Sequence, residues 1–218
     1  MDPAMIQTIA IAALPIIFAI TLHEAAHGYA ARHFGDPTAW EAGRITANPL
    51  RHIDLVGTIL VPAIILLVSG NSILFGWAKP VPVNFGRLRH PKSDMLWVAA
   101  AGPGANLAML LFWAALAKMA WLLPINFFSL PMARMAEVGM SINIALMVLN
   151  LFPLPPLDGG RIAVSLLPRD AAWQFAKLER FGFPILLLLL FTGILGSLLM
   201  PVMRLVGGLV EIIFQLPS

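Results

Sequence analysis

The chain has 218 residues, of which 59% are apolar and only 11% are charged, with a formal net charge of +3. A soluble domain carries about 25% charged residues, and a soluble fold of this length could not hide so much apolar surface from water. The composition therefore excludes a water-soluble protein. The small positive charge fits Lys and Arg at membrane edges and predicts no nucleic-acid partner.

The first predicted element is a membrane-spanning helix from about Met5 to Ala31. About 20 helical residues cross the hydrocarbon of a bilayer, so the segment is long enough to span. It lacks the basic region and the cleavage site of a signal peptide, so we expect it to be retained. Its imidazole and carboxylate side chains, His23, Glu24 and His27, lie near its end.

The next predicted region is rich in turns and prolines. A short apolar segment, Leu55–Ser69, precedes Gly70–Pro91, in which the prolines forbid a regular helix and favour extended chain. Within it, Trp77–Asn84 could pair with the unwound strand of a bound partner by β-augmentation. A structural loop that plugs the site is the alternative for that stretch.

Three longer apolar segments follow. They are Met95–Leu123, Met135–Phe152 and Phe183–Met200. A last segment, Leu205–Leu216, could be a tilted span or an interfacial helix. We therefore expect an all-α polytopic membrane protein with about five to six transmembrane helices and a re-entrant, partly extended segment after the first helix. Residues 1–218 should form a single membrane-embedded domain, with its core at 5–168 and C-terminal helices at 181–216.

The spacing of His23 and His27 indicates a metal site. Residues four apart on a helix project from one face about one turn apart, which lets both imidazoles reach one Zn²⁺ at about 2.0–2.1 Å. Glu24 lies about 100° around the helix, which suits a base acting on water rather than a ligand. Ionisable groups are costly in a membrane helix, so three together indicate function. The alternative is a water-facing or internally satisfied cluster at the helix end.

A catalytic zinc requires a third protein ligand and an open position. Since the sequence contains no cysteine, that ligand must be His, Asp or Glu. The candidates are Asp158, His52, Asp54 and Glu137. We favour Asp158, because it follows a proline-broken span on unwound backbone, which is tolerated at membrane depth only beside protein or a water-filled cavity. Its alternative is a helix N-cap beside a glycine pair, and His52 is the rival ligand.

Three motifs occur between about residues 15 and 165. They are His23-Glu24-x-x-His27, Gly102-Pro103-x-x-Asn106 and Asn150-x-x-Pro153-x-x-Pro156-Leu157-Asp158-Gly159. Together they resemble the site-2 protease family of intramembrane zinc metalloproteases, in its compact branch without PDZ or CBS domains. The resemblance implies hydrolysis of peptide bonds in or near the transmembrane segments of membrane-protein substrates, with one Zn²⁺ per chain.

The resemblance also implies residue roles. His23, His27 and Asp158 would hold the zinc, and Glu24 would be the catalytic base. Asn150 would steady the oxyanion or the bound substrate, with an interhelical hydrogen bond as its alternative. The competing functions are a metal or ion transporter, in which the same side chains line an ion path, and an inactive membrane scaffold. The sequence leaves homo-oligomerisation open.

One shared metal constrains the topology. The first helix and the Met135–Phe152 helix must run parallel, and Met95–Leu123 is one crossing between them, so residues 55–91 should make no net crossing. Residues 32–92 contain seven Lys and Arg and residues 153–180 contain four, which places both regions in the cytoplasm. We expect an integral protein of the plasma membrane with its N-terminus outside and its active site toward the cytoplasmic side.

Overall fold

The computed structural model describes residues 3–68, 76–124 and 128–216 of the chain. Within these ranges the regular structure is helical, which confirms the all-α prediction. The α-helices are α1 Pro3–His33, α2 Thr38–Glu41, α3 Val61–Val68, α4 Pro91–Leu122, α5 Ser129–Asn150, α6 Asp158–Leu166, α7 Arg169–Ala176, α8 Glu179–Phe191 and α9 Ile194–Phe214. A π-helical turn, Leu55–Leu60, leads into α3. The predictions made for residues 69–75 lie outside the described residues.

Four of the described helices are long and apolar enough to cross a membrane. They are Ala10–His33 of α1, then α4, α5 and α9. Together with the shorter apolar helix Leu55–Ile65, they are consistent with the predicted number of spans. The start of α4 follows the ordinary rules for helix N-termini, because Pro91 occupies its first turn and the buried Asp94 carboxylate accepts a hydrogen bond from the backbone N–H of His90.

The helices α1 and α4 pack against each other in opposite directions. The side chain of His27 on α1 contacts Val98 on α4, whereas Ala19, two turns earlier on α1, contacts Asn106, two turns later on α4. Chain direction therefore reverses between the two helices.

The helices α4 and α5 are also antiparallel. Asn106 contacts Asn143, and Trp113, further along α4, lies against Gly139, which comes earlier on α5. Two reversals leave α1 and α5 parallel, as a metal shared between the end of α1 and the region after α5 requires.

The connection between α1 and α4 ends beside the point where it began. The backbone N–H of Arg89 donates to the carbonyl of Phe34 at 3.0 Å. This contact agrees with the expectation that the connection makes no net crossing of the membrane.

The predicted span Phe183–Met200 has the wrong boundaries. Gly193 adopts a left-handed conformation with φ of 76° and breaks the apolar run between α8 and α9. Residues 194–200 belong to α9, and so do residues 205–214, which do not form a separate helix. The break could not be predicted from hydropathy, because the sequence is rich in leucine and similarly apolar on both sides of the glycine.

Candidate active site

The site forms where the end of α1 meets the beginning of α6. His23 and His27 lie on one face of α1, and Asp158 is the first residue of α6. Gly159 and Gly160 allow α6 to pack closely against the turn that precedes it, because a Cβ atom on either residue would lie 2.2 Å from the backbone of that turn. The prolines that end α5 and the glycines that follow therefore bring the carboxylate back to α1.

Three ligand-type atoms converge at this point. Nε2 of His23 lies 3.1 Å from Nε2 of His27, and each Nε2 lies 3.3 Å from Oδ2 of Asp158. Of the groups searched in the described residues, these three side chains form the cluster that could hold a metal ion. His23 is buried and the other two are half-buried.

The hydrogen bonds behind the site fix the imidazole tautomers. Nδ1 of His23 lies 2.6 Å from Oδ1 of Asn106, and Nδ1 of His27 lies 2.7 Å from the carbonyl of Val98. Both partners can only accept, so each neutral ring carries its proton on Nδ1 and turns the lone pair of Nε2 toward Asp158. Such a bond from the other ring nitrogen is the usual support of a metal-binding histidine.

The convergence fits a zinc ion. Ligands that lie about 2.0–2.1 Å from a tetrahedral zinc are about 3.3 Å from one another, which matches the separations of the three atoms. Oδ2 of Asp158 is buried and has no hydrogen-bond partner, although buried polar atoms are nearly always satisfied. Two imidazole nitrogens and a carboxylate oxygen at these distances share either a proton or a metal cation, and this set of donors is one that zinc binds.

The charge of Asp158 also suits a cation. Burial raises the pKa of its carboxyl, but hydrogen bonds from the imidazoles of His23 and His27, together with positive charge on these rings, outweigh burial and lower the pKa to about 2. The carboxyl is therefore ionised at neutral pH, which is the form that binds a metal. Leu157 occupies the N-cap position of α6 and Asp158 is its first helical residue, so the N-cap alternative for Asp158 is not supported.

One stripe of α4 forms the wall behind the histidines. Val98, Gly102 and Asn106 are spaced four residues apart and therefore share a helix face. A Cβ atom on Gly102 would lie 2.4 Å from Nε2 of His27 and 2.6 Å from Cε1 of His23. The glycine provides the space that the rings occupy, and its two neighbours on the stripe accept their hydrogen bonds.

Glu24 is held beside this cluster by the extended segment that the sequence predicted. Its Oε2 accepts a hydrogen bond of 2.8 Å from the backbone N–H of Val81. The N–H groups of Trp77 and Lys79 donate to the carbonyls of Gly57 and His52. This edge of the segment is therefore occupied by the protein itself, and pairing of substrate with the other edge stays a prediction.

The other predicted candidates lie apart from the cluster. Nε2 of His52 bonds to the carbonyl of Thr46, Asp54 caps the turn that begins at Leu55, and Glu137 is exposed. The amide nitrogen of Asn150 donates to the carbonyl of Leu146 in its own helix at 2.9 Å, not across helices. None of these side chains joins the three converging atoms.

Sequence reasoning assigned no role to Asn106 and did not single out Asn143. Both are fully buried, and they bond to each other at 2.9 Å. The sequence did contain an indication of their importance, because burying an asparagine in an apolar span is costly unless its amide is hydrogen-bonded.

Comparison with known proteins identifies the family. Residues 125–193 match peptidase family M50. The chain is 38% identical over 187 residues to "Putative zinc metalloprotease YwhC" of Bacillus subtilis, a match that covers 84% of this chain and 81% of that protein. The chain belongs to the site-2 protease family.

More distant relatives agree with this assignment. "Putative zinc metalloprotease Rip2" of Mycolicibacterium smegmatis is 28% identical over 83% of this chain and 66% of its own length. The protein of the same name in Mycobacterium tuberculosis is 27% identical over 79% of this chain and 63% of its own length. No solved structure matches the chain.

Membership of the site-2 protease family settles the class of activity. The protein is an intramembrane zinc metalloprotease, and the transporter and scaffold alternatives are not favoured. Its substrates are membrane proteins and its surroundings are lipid. The family does not by itself assign roles to individual residues of this chain.

Proposed function

We propose that His23, His27 and Asp158 hold the catalytic zinc and that Glu24 is the catalytic base. The observation that carries this proposal is the contact of two Nε2 lone pairs with an unpartnered carboxylate oxygen at 3.1–3.3 Å. Zinc bound there would act as a Lewis acid on the scissile carbonyl and lower the pKa of water. Three protein ligands also leave the fourth tetrahedral position open for reactants.

Glu24 carries the proton in this proposal. Its Oε2 accepts a hydrogen bond from the N–H of Val81, which leaves Oε1 to accept the proton from water. The carboxylate removes a proton as water adds to the carbonyl carbon, and it delivers that proton to the leaving nitrogen as the C–N bond breaks. Glu24 therefore passes on the proton that it accepted and ends the reaction ionised, as it began.

Asn150 remains the proposed stabiliser of the oxyanion or of the bound substrate. An amide nitrogen has two protons, and only one of them is used in the bond to Leu146. The second proton could be donated to an oxygen that gains charge during the reaction.

We further propose the orientation inferred from the charges, with the N-terminus outside and the zinc toward the cytoplasmic side of the plasma membrane. The basic residues between α1 and α4 and those after α5 support this arrangement. Residues 1–218 would act as one membrane-embedded protease domain.

A comparison of Glu24→Gln with wild type tests the proposed base. Glutamine is nearly isosteric but cannot accept the proton, so we expect loss of proteolysis by at least about 10²-fold with zinc still bound. The measurement is mass spectrometry of membrane-protein termini in cells that produce either form, with Glu137→Gln as the control because Glu137 is exposed on α5. New termini in or beside spans should appear with wild type and Glu137→Gln only. The same termini with Glu24→Gln would refute the role of Glu24.

A further inference from the structure

Two buried asparagines form a chain of hydrogen bonds that ends at a proposed zinc ligand. Asn106 on α4 and Asn143 on α5 both have 0% exposure. Each sits within a helix that is long and apolar enough to cross a membrane, where an unsatisfied amide would cost several kcal/mol. We call the chain from Asn143 through Asn106 to His23 the amide relay.

The direction of the amide relay is fixed at its far end. Nδ2 of Asn143 donates to the carbonyl of Gly139 at 2.8 Å, and a carbonyl can only accept. Oδ1 of Asn143 is therefore turned toward Nδ2 of Asn106, at 2.9 Å. That amide in turn presents Oδ1 to Nδ1 of His23 at 2.6 Å.

Asn106 is held in the same orientation by a second acceptor. Its Nδ2 also lies 3.3 Å from the carbonyl of Ala19 on α1. Rotating either amide by 180° would bring donor to donor or acceptor to acceptor along the chain. Only one arrangement satisfies all of the contacts.

We infer that Asn143, acting through Asn106, positions His23 for metal binding by holding the proton of the imidazole on Nδ1. The lone pair of Nε2 then faces Asp158 before any metal arrives. This inference rests on the proposed zinc site. Asn143 touches neither the site nor its ligands, so its effect must pass through Asn106.

The competing interpretation is that the two asparagines only join the helices. Interhelical amide bonds are common in membrane bundles and contribute modest stability. In that case their removal would lower the unfolding temperature but would leave zinc affinity unchanged. Zinc affinity and unfolding temperature therefore separate the two interpretations.

The test measures zinc affinity of the purified full chain in nanodiscs by competition with a chelator. Asn106→Ala should weaken zinc binding by about 10–100-fold, as loss of an outer-shell partner usually does, and Asn143→Ala by about tenfold. The double variant should bind zinc no more weakly than Asn106→Ala, because Asn143 acts only through Asn106. Cobalt-substituted Asn143→Ala should also show altered visible absorption bands.

Matched controls lie one turn further along each helix. Leu110→Ala on α4 and Met147→Ala on α5 remove buried apolar side chains and should lower the unfolding temperature without changing zinc affinity. If Asn106→Ala does not fold, Asn106→Asp serves in its place, since it keeps an acceptor for His23. In that background Asn143→Ala should have no further effect on zinc affinity.

Two results would overturn the inference. One is wild-type zinc affinity in Asn143→Ala, and the other is a double variant whose loss equals the product of the two single losses. Either result, with one zinc bound to wild type, would refute the amide relay and leave the proposed function intact. A wild-type chain without zinc affinity would instead refute the proposed function.

Discussion

At the scale of single residues, the hydrogen bonds of His23, His27 and Asp158 define the candidate site. Both Nδ1 protons are donated to α4, to Asn106 and Val98, and the oxygen of Asp158 has no donor. A pair of histidines on a helix could be satisfied internally, which was the alternative at the sequence level. The bonds to α4 use only the Nδ1 atoms, so both Nε2 atoms face Asp158, where a metal would bind.

The substitution Gly102→Ala tests this geometry, because it adds one methyl group beside the imidazoles. In Gly102→Ala the new Cβ would fall 2.4 Å from Nε2 of His27, so a ring must shift. We expect proteolysis to fall by about 10²-fold, the cost of misplacing a catalytic group by about 1 Å. The measurement is the rate of substrate cleavage together with zinc content.

The control is Gly104→Ala, two residues along the same helix. A Cβ atom there meets nothing within 4 Å, and alanine favours the helix over glycine. Cleavage should continue at the wild-type rate. Equal rates for Gly102→Ala and Gly104→Ala would show that the space behind the imidazoles is not needed.

At the scale of secondary-structure elements, α4 is the helix that both supports the site and joins the bundle. One stripe faces the histidines of α1, and further along the helix Trp113 packs into the space left by Gly139 on α5. A Cβ atom on Gly139 would lie 2.3 Å from the indole. The close approach of α4 and α5 therefore depends on the absence of that atom.

Gly139→Ala should separate α4 from α5 and lower stability. Overpacking a buried contact costs about 1–3 kcal/mol, so the thermal unfolding midpoint in nanodiscs should fall. Gly208→Ala on α9 is the control, since its Cβ would meet nothing within 4 Å. An unfolding midpoint for Gly139→Ala equal to that of Gly208→Ala would contradict this packing.

The sequence predicts the residues of the candidate site better than it predicts the residues that hydrogen-bond to them. The helical repeat alone places His23 and His27 on one face, and the Pro-rich turn followed by Gly159-Gly160 indicates where α6 begins. Asn143 could not be assigned a partner, because which amides meet depends on how α4 packs against α5. The bond from Val81 to Glu24 is likewise a product of tertiary structure, and no local pattern encodes it.

At the scale of the whole molecule, the directions of α1, α4 and α5 determine where the candidate site forms. Parallel α1 and α5 place the end of α1 beside the beginning of α6, and the connection from Phe34 to Arg89 closes on itself. His23 and His27 lie in the second half of the candidate span Ala10–His33, so the site is displaced from the middle of this helix toward its C-terminal end.

Single cysteines test this topology without background, since the chain contains none. Arg87→Cys, before α4, should react with an impermeant thiol reagent only from the cytoplasmic side. Leu123→Cys, after α4, should react only from outside, and both positions are exposed. Labelling of Arg87→Cys from outside alone would contradict the closed connection and the proposed orientation.

The most direct test of the central claim is the zinc content of purified wild-type protein and of Asp158→Ala, measured by mass spectrometry of the metal. We predict one zinc per wild-type chain, near-complete loss in Asp158→Ala, and full retention in Asp170→Ala, which removes an exposed carboxylate on α7. If Asp158→Ala retained zinc with wild-type affinity, the metal would be held elsewhere and the proposed site would be wrong.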